Sequence, residues 1–218
     1  MRCPPLLSGK PDNDKGFVSL PAISKRKKLT REEKTKQTYE ALMTSAAEIV
    51  GARGYAATSI AKATENAGVS QGTFYNYFED RQTLFDSLLP YVREKMIHEI
   101  VTEVPRTTRG WEREVERFRA YCHFLGRNPG FYRILYEAEI FAPTAHANHM
   151  KETSDGLRRS LLRSIKSGDM REVEEEELDA IVFALLGARA YIAMNYGKGT
   201  EIPESAVEGY AKLVSGMF

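Results

Sequence analysis

The sequence is poor in cysteine, with only Cys3 and Cys122 among its 218 residues. One lies in the N-terminal tail and the other in a helical stretch, so they make no disulfide framework of the kind that holds small secreted proteins together. No run of about 18 apolar residues occurs, and the N-terminus lacks the continuous apolar segment of a signal peptide. We therefore expect a cytoplasmic protein with no membrane partner.

An excess of charge of one sign is also missing, since the formal net charge is +1. The charge is nevertheless unevenly spread, because residues 1–30 carry seven basic and two acidic groups. Four of the nine prolines lie in residues 1–29, which predicts a flexible basic N-terminal arm over that range. Two interpretations stay open, namely a solvated tail or an arm that contacts nucleic acid.

Strand patterns and catalytic motifs are absent as well. Apolar residues recur at helical spacing throughout, which predicts an all-α protein. No Ser/His/Asp or Cys/His grouping, phosphate loop or metal motif is legible, so we expect no enzyme and no cofactor. His146 and His149 are three residues apart on a predicted helix, but a four-coordinate metal site needs more ligands. A plain histidine pair is the favoured interpretation, and we expect no metal.

The first eighty residues predict three helices. Thr30 and Glu33 have the spacing of a capping box, and the glycines at 51 and 54 should end the first helix. A second helix is expected to start at Thr58, with small inward residues that allow close helix crossing. Gly68 permits a sharp turn, and Ser70 should cap a third helix that runs to Phe78. Two short helices joined by such a turn indicate a helix-turn-helix.

The third helix should have two unlike faces. Phe74 and Phe78 are four residues apart and share a face that we expect to enter the core. Tyr75 and Tyr77 should point away from that face, together with Gln71, Thr73 and Asn76. Such a polar face suits the DNA major groove, where amides read base edges and hydroxyls bind phosphates. Residues 31–90 carry six basic against eight acidic groups, so the basic arm would have to supply much of the phosphate attraction.

A family resemblance rests on this region. The segment ALMTSAAEIVGARGYAATSIAKATENAGVSQGTFYNYFEDRQTLFDSLL resembles the N-terminal domain of tetracycline-repressor (TetR) family regulators, above all in its A-G-V-S and T-F-Y-N-Y-F runs. The resemblance implies a homodimeric transcription regulator that binds operator DNA, with a DNA-binding domain over residues 30–80 and a ligand-binding and dimerisation domain over 81–218. It favours a repressor but carries over no inducer, and the aromatic residues of the second domain favour a small apolar or aromatic effector. Together with the cap position at Ser70, the resemblance places these residues at DNA: Thr58, Ser70, Gln71, Gly72, Thr73, Tyr75, Asn76, Tyr77 and Arg81.

The second domain is less informative. A fourth helix should run from Glu79 to about Val104, with a bend near Asp86 caused by Pro90. Aromatic residues crowd the following helices, as core or as the lining of an apolar pocket. Arg189 lies in an apolar helix and should have a partner: Glu137, Glu139, a glutamate across the dimer, or an acidic ligand. The candidate pocket comprises Trp111, Phe118, Tyr121, Phe131, Tyr132, Tyr136, Met150 and Arg189.

The last two predicted helices are candidates for the dimer interface. The helix from about Glu176 to Tyr196 is apolar nearly all round, and small residues on it would let a second helix approach closely. The predicted interface comprises Ala184, Gly187, Ala188, Tyr191, Tyr210 and Val214. The alternative to a DNA-binding regulator is a helical enzyme or interaction protein that uses the aromatic C-terminal pocket.

Overall fold

The computed structural model describes residues 30–196 and 202–217. Within these ranges the chain is all-α, as predicted, and no helix there is long and apolar enough to cross a membrane. The predicted basic arm, residues 1–29, lies outside the described residues. The helices are α1 (Arg31–Arg53), α2 (Ile60–Ala67), α3 (Gln71–Phe74), α4 (Arg81–Glu103), α5 (Gly110–Arg127), α6 (Phe131–Phe141), α7 (Pro143–Lys166), α8 (Glu175–Tyr196) and α9 (Glu204–Met217).

The predicted caps of the first helices are largely confirmed. Thr30 Oγ1 accepts from the Glu33 amide at 3.2 Å, and the Glu33 carboxylate accepts from the Thr30 amide at 2.6 Å. Gly54 ends α1 with φ of 83°, a value that favours glycine. The expected start of α2 at Thr58 is two residues early, because the helix begins at Ile60. Its N-cap is Ser59, whose Oγ accepts from the Lys62 amide at 3.3 Å.

The third helix is shorter than predicted. Ser70 caps it as expected, with its Oγ 3.1 Å from the Thr73 amide, but α3 ends at Phe74. Beyond that residue, Asn76 and Tyr77 donate their amides to the carbonyls three residues earlier, which tightens the helix into a turn. The turn still brings Phe78 back to the buried side.

A first hydrophobic core joins the helix-turn-helix to the helices that follow it. Leu42 of α1, Phe74 of α3, Phe85 of α4 and Ile134 of α6 all belong to this cluster. The burial predicted for Phe74 and Phe78 is confirmed, since both are at most 2% exposed. The helix-turn-helix is therefore held against α4 and α6 by the burial of shared apolar surface, which is the main stabilising contribution in a fold of this kind.

Helix α4 begins directly after residue 80, where the boundary between the two domains is predicted. Asp80 caps it, accepting from the Thr83 amide at 2.7 Å. This bond is the main reason that the pKa of the Asp80 carboxyl is lowered. Pro90 lies within the helix and is exposed, and the bend expected near Asp86 stays a prediction.

A second hydrophobic core is built from α5, α7, α8 and α9. It contains Phe118, Leu161, Leu185 and Tyr210, with the rings of Phe118 and Tyr210 only 4.3 Å apart. Tyr210 and Val214 are at most 1% exposed, because they pack inside their own subunit. Their assignment to the dimer interface is therefore wrong. The apolar spacing along α9 marked a face that packs within the subunit. One sequence alone does not distinguish such a face from a dimer interface.

The end of α1 crosses the start of α6 with the two backbones in contact. A Cβ atom on Gly51 would lie 2.9 Å from the Cα of Gly130, so only glycine fits this crossing without displacement. Glu137 of α6 accepts from the Tyr55 amide at 2.8 Å, and Arg133 donates to the carbonyl of Ala52. These contacts tie the position of α6 to that of the helix-turn-helix.

Candidate nucleic-acid interface and effector region

The turn between α2 and α3 is held from inside. Gly68 adopts a left-handed conformation with φ of 69°, and the Val69 amide donates to the Thr64 carbonyl at 3.0 Å. Buried Ser45 of α1 donates its hydroxyl to the Ala63 carbonyl at 2.8 Å, which fixes α2 against α1. The direction in which α3 projects is therefore set by α1 as well as by the turn itself.

The outer side of the turn after α3 is open to solvent. Tyr75 is 57% exposed, although the neighbouring Phe74 is fully buried. Gln71, Gly72 and Asn76 are exposed beside it. A tyrosine ring and two side-chain amides thus stand together on a protruding surface, a composition that can read base edges and contact phosphates.

Ser70 and Thr73 form hydrogen bonds to each other within the protein. Their hydroxyl oxygens are 2.9 Å apart, and Ser70 Oγ also accepts from the Thr73 amide. Arg81 is exposed, with Nη1 3.5 Å from the Thr58 carbonyl and the guanidinium 5.3 Å from the centre of the Phe85 ring.

Two of the predicted DNA-facing residues lie elsewhere. Thr58 is 1% exposed, and its hydroxyl donates inward to the Gly54 carbonyl at 3.0 Å, which leaves no exposed hydroxyl for the predicted phosphate contact. Tyr77 is half-buried against Tyr39, with ring centres 6.4 Å apart. The prediction that Tyr77 points away from the core is therefore only partly met, because the shortened α3 rotates it back toward α1.

Three of the predicted pocket residues come together between α5, α6 and α8. The rings of Tyr132 and Tyr136 stack 5.1 Å apart. Tyr132 donates its hydroxyl to the Ala190 carbonyl at 2.8 Å, and the Tyr136 hydroxyl lies 2.8 Å from Met194 Sδ. Burial raises the pKa of Tyr121 and of Tyr132, and each also feels the other's charge or hydrogen bond. The cluster therefore offers neutral phenol groups on apolar walls.

The other candidates do not join that cluster. Phe131 is buried in the first core against Phe124, with ring centres 5.2 Å apart, and Phe118 belongs to the second core. Trp111 and Met150 are exposed at 39% and 51%. Aromatic crowding along a helix indicates burial in general, and it does not distinguish the two cores or a pocket between them.

Arg189 has a partner that the sequence reasoning missed. Its Nη2 pairs with the carboxylate of Glu114 on α5, and its Nε lies 3.0 Å from the Tyr210 hydroxyl. Tyr210 in turn donates to Glu114 Oε1 at 2.8 Å. The expected partners Glu137 and Glu139, a partner subunit or an acidic ligand were wrong, because Glu114 is buried at 2% exposure inside the same subunit. Its spacing to Phe118 and Tyr121 placed it on the apolar stripe, a signal that was available.

A cleft of about 570 Å³ lies where α1 and α4 meet the turn before α6. Tyr91, Phe124 and Ile134 supply apolar wall, and Lys95 and Arg127 supply charge. Of the predicted pocket residues only Phe131 lines it. The cleft adjoins the crossing of Gly51 and Gly130, so sequence periodicity alone did not reveal it.

The outer face of α8 is apolar and open. Phe183 and Tyr191 are 63% and 71% exposed, and Ala184 is exposed between them. A Cβ atom on Gly187 would meet no atom within 4 Å. Ala188 is half-buried at the edge of the second core. Four of the six predicted interface residues thus lie on or beside this face.

Fold and surface together define a helix-turn-helix DNA-binding regulator with a helical second domain. Residues 42–88 match the sequence profile of bacterial regulatory proteins of the tetR family. The matched segment covers the second half of α1, all of α2 and α3, and the first part of α4.

Individual relatives are more distant. The nucleoid occlusion factor SlmA of Vibrio campbellii is 27% identical over 158 residues, which are 68% of this chain and 79% of that protein. The fatty acid degradation regulator FadR from Bacillus halodurans superposes with a TM-score of 0.70 at 16% identity, covering 82% of this chain and 95% of that one. FadR from Bacillus subtilis, solved in complex with stearoyl-CoA, gives 0.66 at 19% identity, covering 83% and 100%. At such identities the two structures show the shared fold.

Proposed function

We propose that the chain is a cytoplasmic, homodimeric repressor that an amphipathic small molecule releases from its operator. The observation that carries the DNA-binding surface is the contrast between Tyr75, which projects into solvent, and Phe74, which is fully buried one residue earlier. A protein gains nothing in stability from a large exposed ring, whereas the major groove accepts such a ring beside the amides of Gln71 and Asn76. The repressor role follows the family resemblance.

The effector site is proposed between α5, α6 and α8. Tyr121, Tyr132 and Tyr136 there combine apolar rings with phenol groups that orient a ligand. The complex of Bacillus subtilis FadR with stearoyl-CoA supports an effector with a large apolar part. Such a ligand would separate α6 from α8, where Tyr132 now bonds to the Ala190 carbonyl.

We propose that α6 transmits the effect of ligand binding to the helix-turn-helix. The Glu137 carboxylate bonds to the Tyr55 amide, and the backbones of Gly51 and Gly130 touch. A shift of α6 caused by the effector would therefore move α1 and the helix-turn-helix with it. In a dimer, whose two reading heads must be about 34–36 Å apart, a small change of this spacing weakens binding.

The dimer is proposed to form through the exposed face of α8, defined by Phe183, Ala184, Gly187 and Tyr191. Two copies of an apolar helix face related by a two-fold axis bury each other and form a helix bundle. Small residues at positions 184 and 187 permit the close approach.

Two neighbouring substitutions test the DNA-binding surface. We expect Tyr75→Ala to weaken binding to DNA from upstream of the gene by about 1–3 kcal/mol and to leave the melting temperature nearly unchanged. Phe74→Ala should instead lower the free energy of unfolding by about 3–5 kcal/mol, because that ring fills the first core. Gel-shift titrations and thermal melts of both variants give the comparison. Equal affinity of Tyr75→Ala and the wild type would refute the assigned surface.

A further inference from the structure

Three arginines meet where α5 packs on α7. Arg113 and Arg117 are one turn apart on α5, and Arg163 lies one turn beyond Ser160 on α7. The Arg117 guanidinium donates to the Ser160 hydroxyl, which joins the two helices at this point. Because residues four apart on a helix share a face, Arg113 is placed beside Arg117 at the same junction.

The positive charge of this cluster is not neutralised. Among the described residues, no carboxylate lies within 4.0 Å of a nitrogen of Arg113, Arg117 or Arg163. The neighbouring arginines differ, since Arg119 pairs with Glu116 and Glu204, and Arg158 pairs with Glu175 and Asp179. The chain therefore had acidic partners available for surface arginines of α5 and α7, but none faces this cluster.

Part of the cluster is withdrawn from solvent. Arg113 Nε is buried and has no hydrogen-bond partner among the described residues. Burial lowers the pKa of Arg117, and the charges of Arg113 and Arg163 lower it further. A buried donor without an acceptor and like charges near one another both destabilise a fold, and a bound anion would relieve both effects.

We propose that Arg113, Arg117 and Arg163 form a binding site for a phosphate-bearing anion. Guanidinium groups suit this ligand, because their N–H donors match two oxygens of a phosphate at once. Ser160 fixes Arg117 at the centre of the site. The inference rests on the proposed function only in assigning the anion to an effector, whose apolar part would extend away from the arginines.

The site is tested by melting the protein without DNA in metal-free buffer. Sodium pyrophosphate should raise the melting temperature of the wild type by about 3 °C or more above that in NaCl of equal ionic strength. The double variant Arg117→Gln/Arg163→Gln should lose this rise. Without anion it should melt no lower than the wild type, since like-charge repulsion is reduced. Arg53→Gln, which removes an exposed charge of α1, is the matched control and should keep the rise.

Other outcomes have defined meanings. Arg163 is exposed, so the single variant Arg163→Gln retains the fold if the double variant does not, and it should reduce the rise by at least about half. A rise with ADP larger than that with pyrophosphate assigns an organic phosphate, and equal rises assign the anion alone. A wild type that responds equally to pyrophosphate and NaCl would overturn the site, as would an undiminished rise in the arginine variants. Either result leaves DNA binding unaffected, so it is distinguishable from failure of the proposed function.

Discussion

The two hydrophobic cores differ in how they handle buried polar groups. In the first core, buried Ser45 and Thr64 donate their hydroxyls to backbone carbonyls, Ser45 to Ala63 and Thr64 within α2. In the second core, Glu114 and Arg189 bury an ion pair between α5 and α8, and Tyr210 of α9 completes it. The polar groups of the first core are neutral and lie in α1 and α2, whereas those of the second core are charged and lie in α5 and α8.

The buried polar groups of the two cores also differ in how many helices they hold together. The Ser45 hydroxyl fixes α2 against α1, and the Thr64 hydroxyl bonds within α2, so these neutral groups join at most two helices. An ion pair in a buried site is stable only while α5, α8 and α9 keep their mutual positions, because an unpaired charge there is costly. The ion pair of the second core therefore links three helices, whereas the polar bonds of the first core link only α1 and α2.

The largest expected effect breaks the ion pair from one side. Arg189→Met leaves Glu114 buried without its cation, and we expect the free energy of unfolding to fall by about 3–5 kcal/mol. Urea unfolding at neutral pH measures this change.

A double variant separates the lost pair from lost packing. Glu114→Gln with Arg189→Met removes both charges and keeps an oxygen that accepts from Tyr210. It should recover to within about 1–2 kcal/mol of the wild type. A double variant that is less stable than Arg189→Met alone would contradict this account. It would mean that the unpaired charge of Glu114 is not the cause of the instability.

A smaller effect tests a buried group between α4 and α7. His149 is 7% exposed, and burial, with the charges of Arg93 and His146, lowers its pKa from 6.5 to about 4. The unfolded chain takes up a proton on this imidazole near pH 6.5, whereas the folded protein does so only near pH 4. The stability that the neutral imidazole allows is therefore fully present above pH 6.5 and is lost as the pH falls toward 4. Between pH 7.5 and pH 4.5 the wild type should lose about 2–3 kcal/mol more than His149→Gln.

Urea unfolding at the two pH values measures this difference. His98→Gln, an exposed histidine of α4, is the control and should follow the wild type. A pH dependence of His149→Gln identical to that of the wild type would contradict the burial of a neutral imidazole.

Local features of the fold were predictable from the sequence. The caps at Thr30 and Ser70, the turn at Gly68 and the burial of Phe74 each depend on residues within four positions of one another. Their physical causes, hydrogen bonds to free amides and helical periodicity, are therefore legible in one sequence.

Long-range pairings were not predictable in the same way. Glu114 and Tyr210 are 96 residues apart, and α9 had an apolar rhythm that suited an intramolecular core and a dimer interface equally. Thr58 was expected at a helix start, but Ser59 took the cap and left the Thr58 hydroxyl to bond inward. Which of two adjacent hydroxyls caps a helix depends on the approach of the preceding loop, here fixed by Tyr55 and Glu137.

The central claim is that dimerisation through α8 places two reading heads on one operator. A side chain at position 187 meets open space within the subunit, so Gly187→Glu should fold normally and fail only at the interface. Light scattering combined with operator titration measures both consequences, with Ala147→Glu at an exposed position of α7 as control. The account predicts a dimer that binds for the wild type and the control. It predicts a stable monomer with at least about tenfold weaker binding for Gly187→Glu. A Gly187→Glu protein that remains dimeric and binds with unchanged affinity would contradict it.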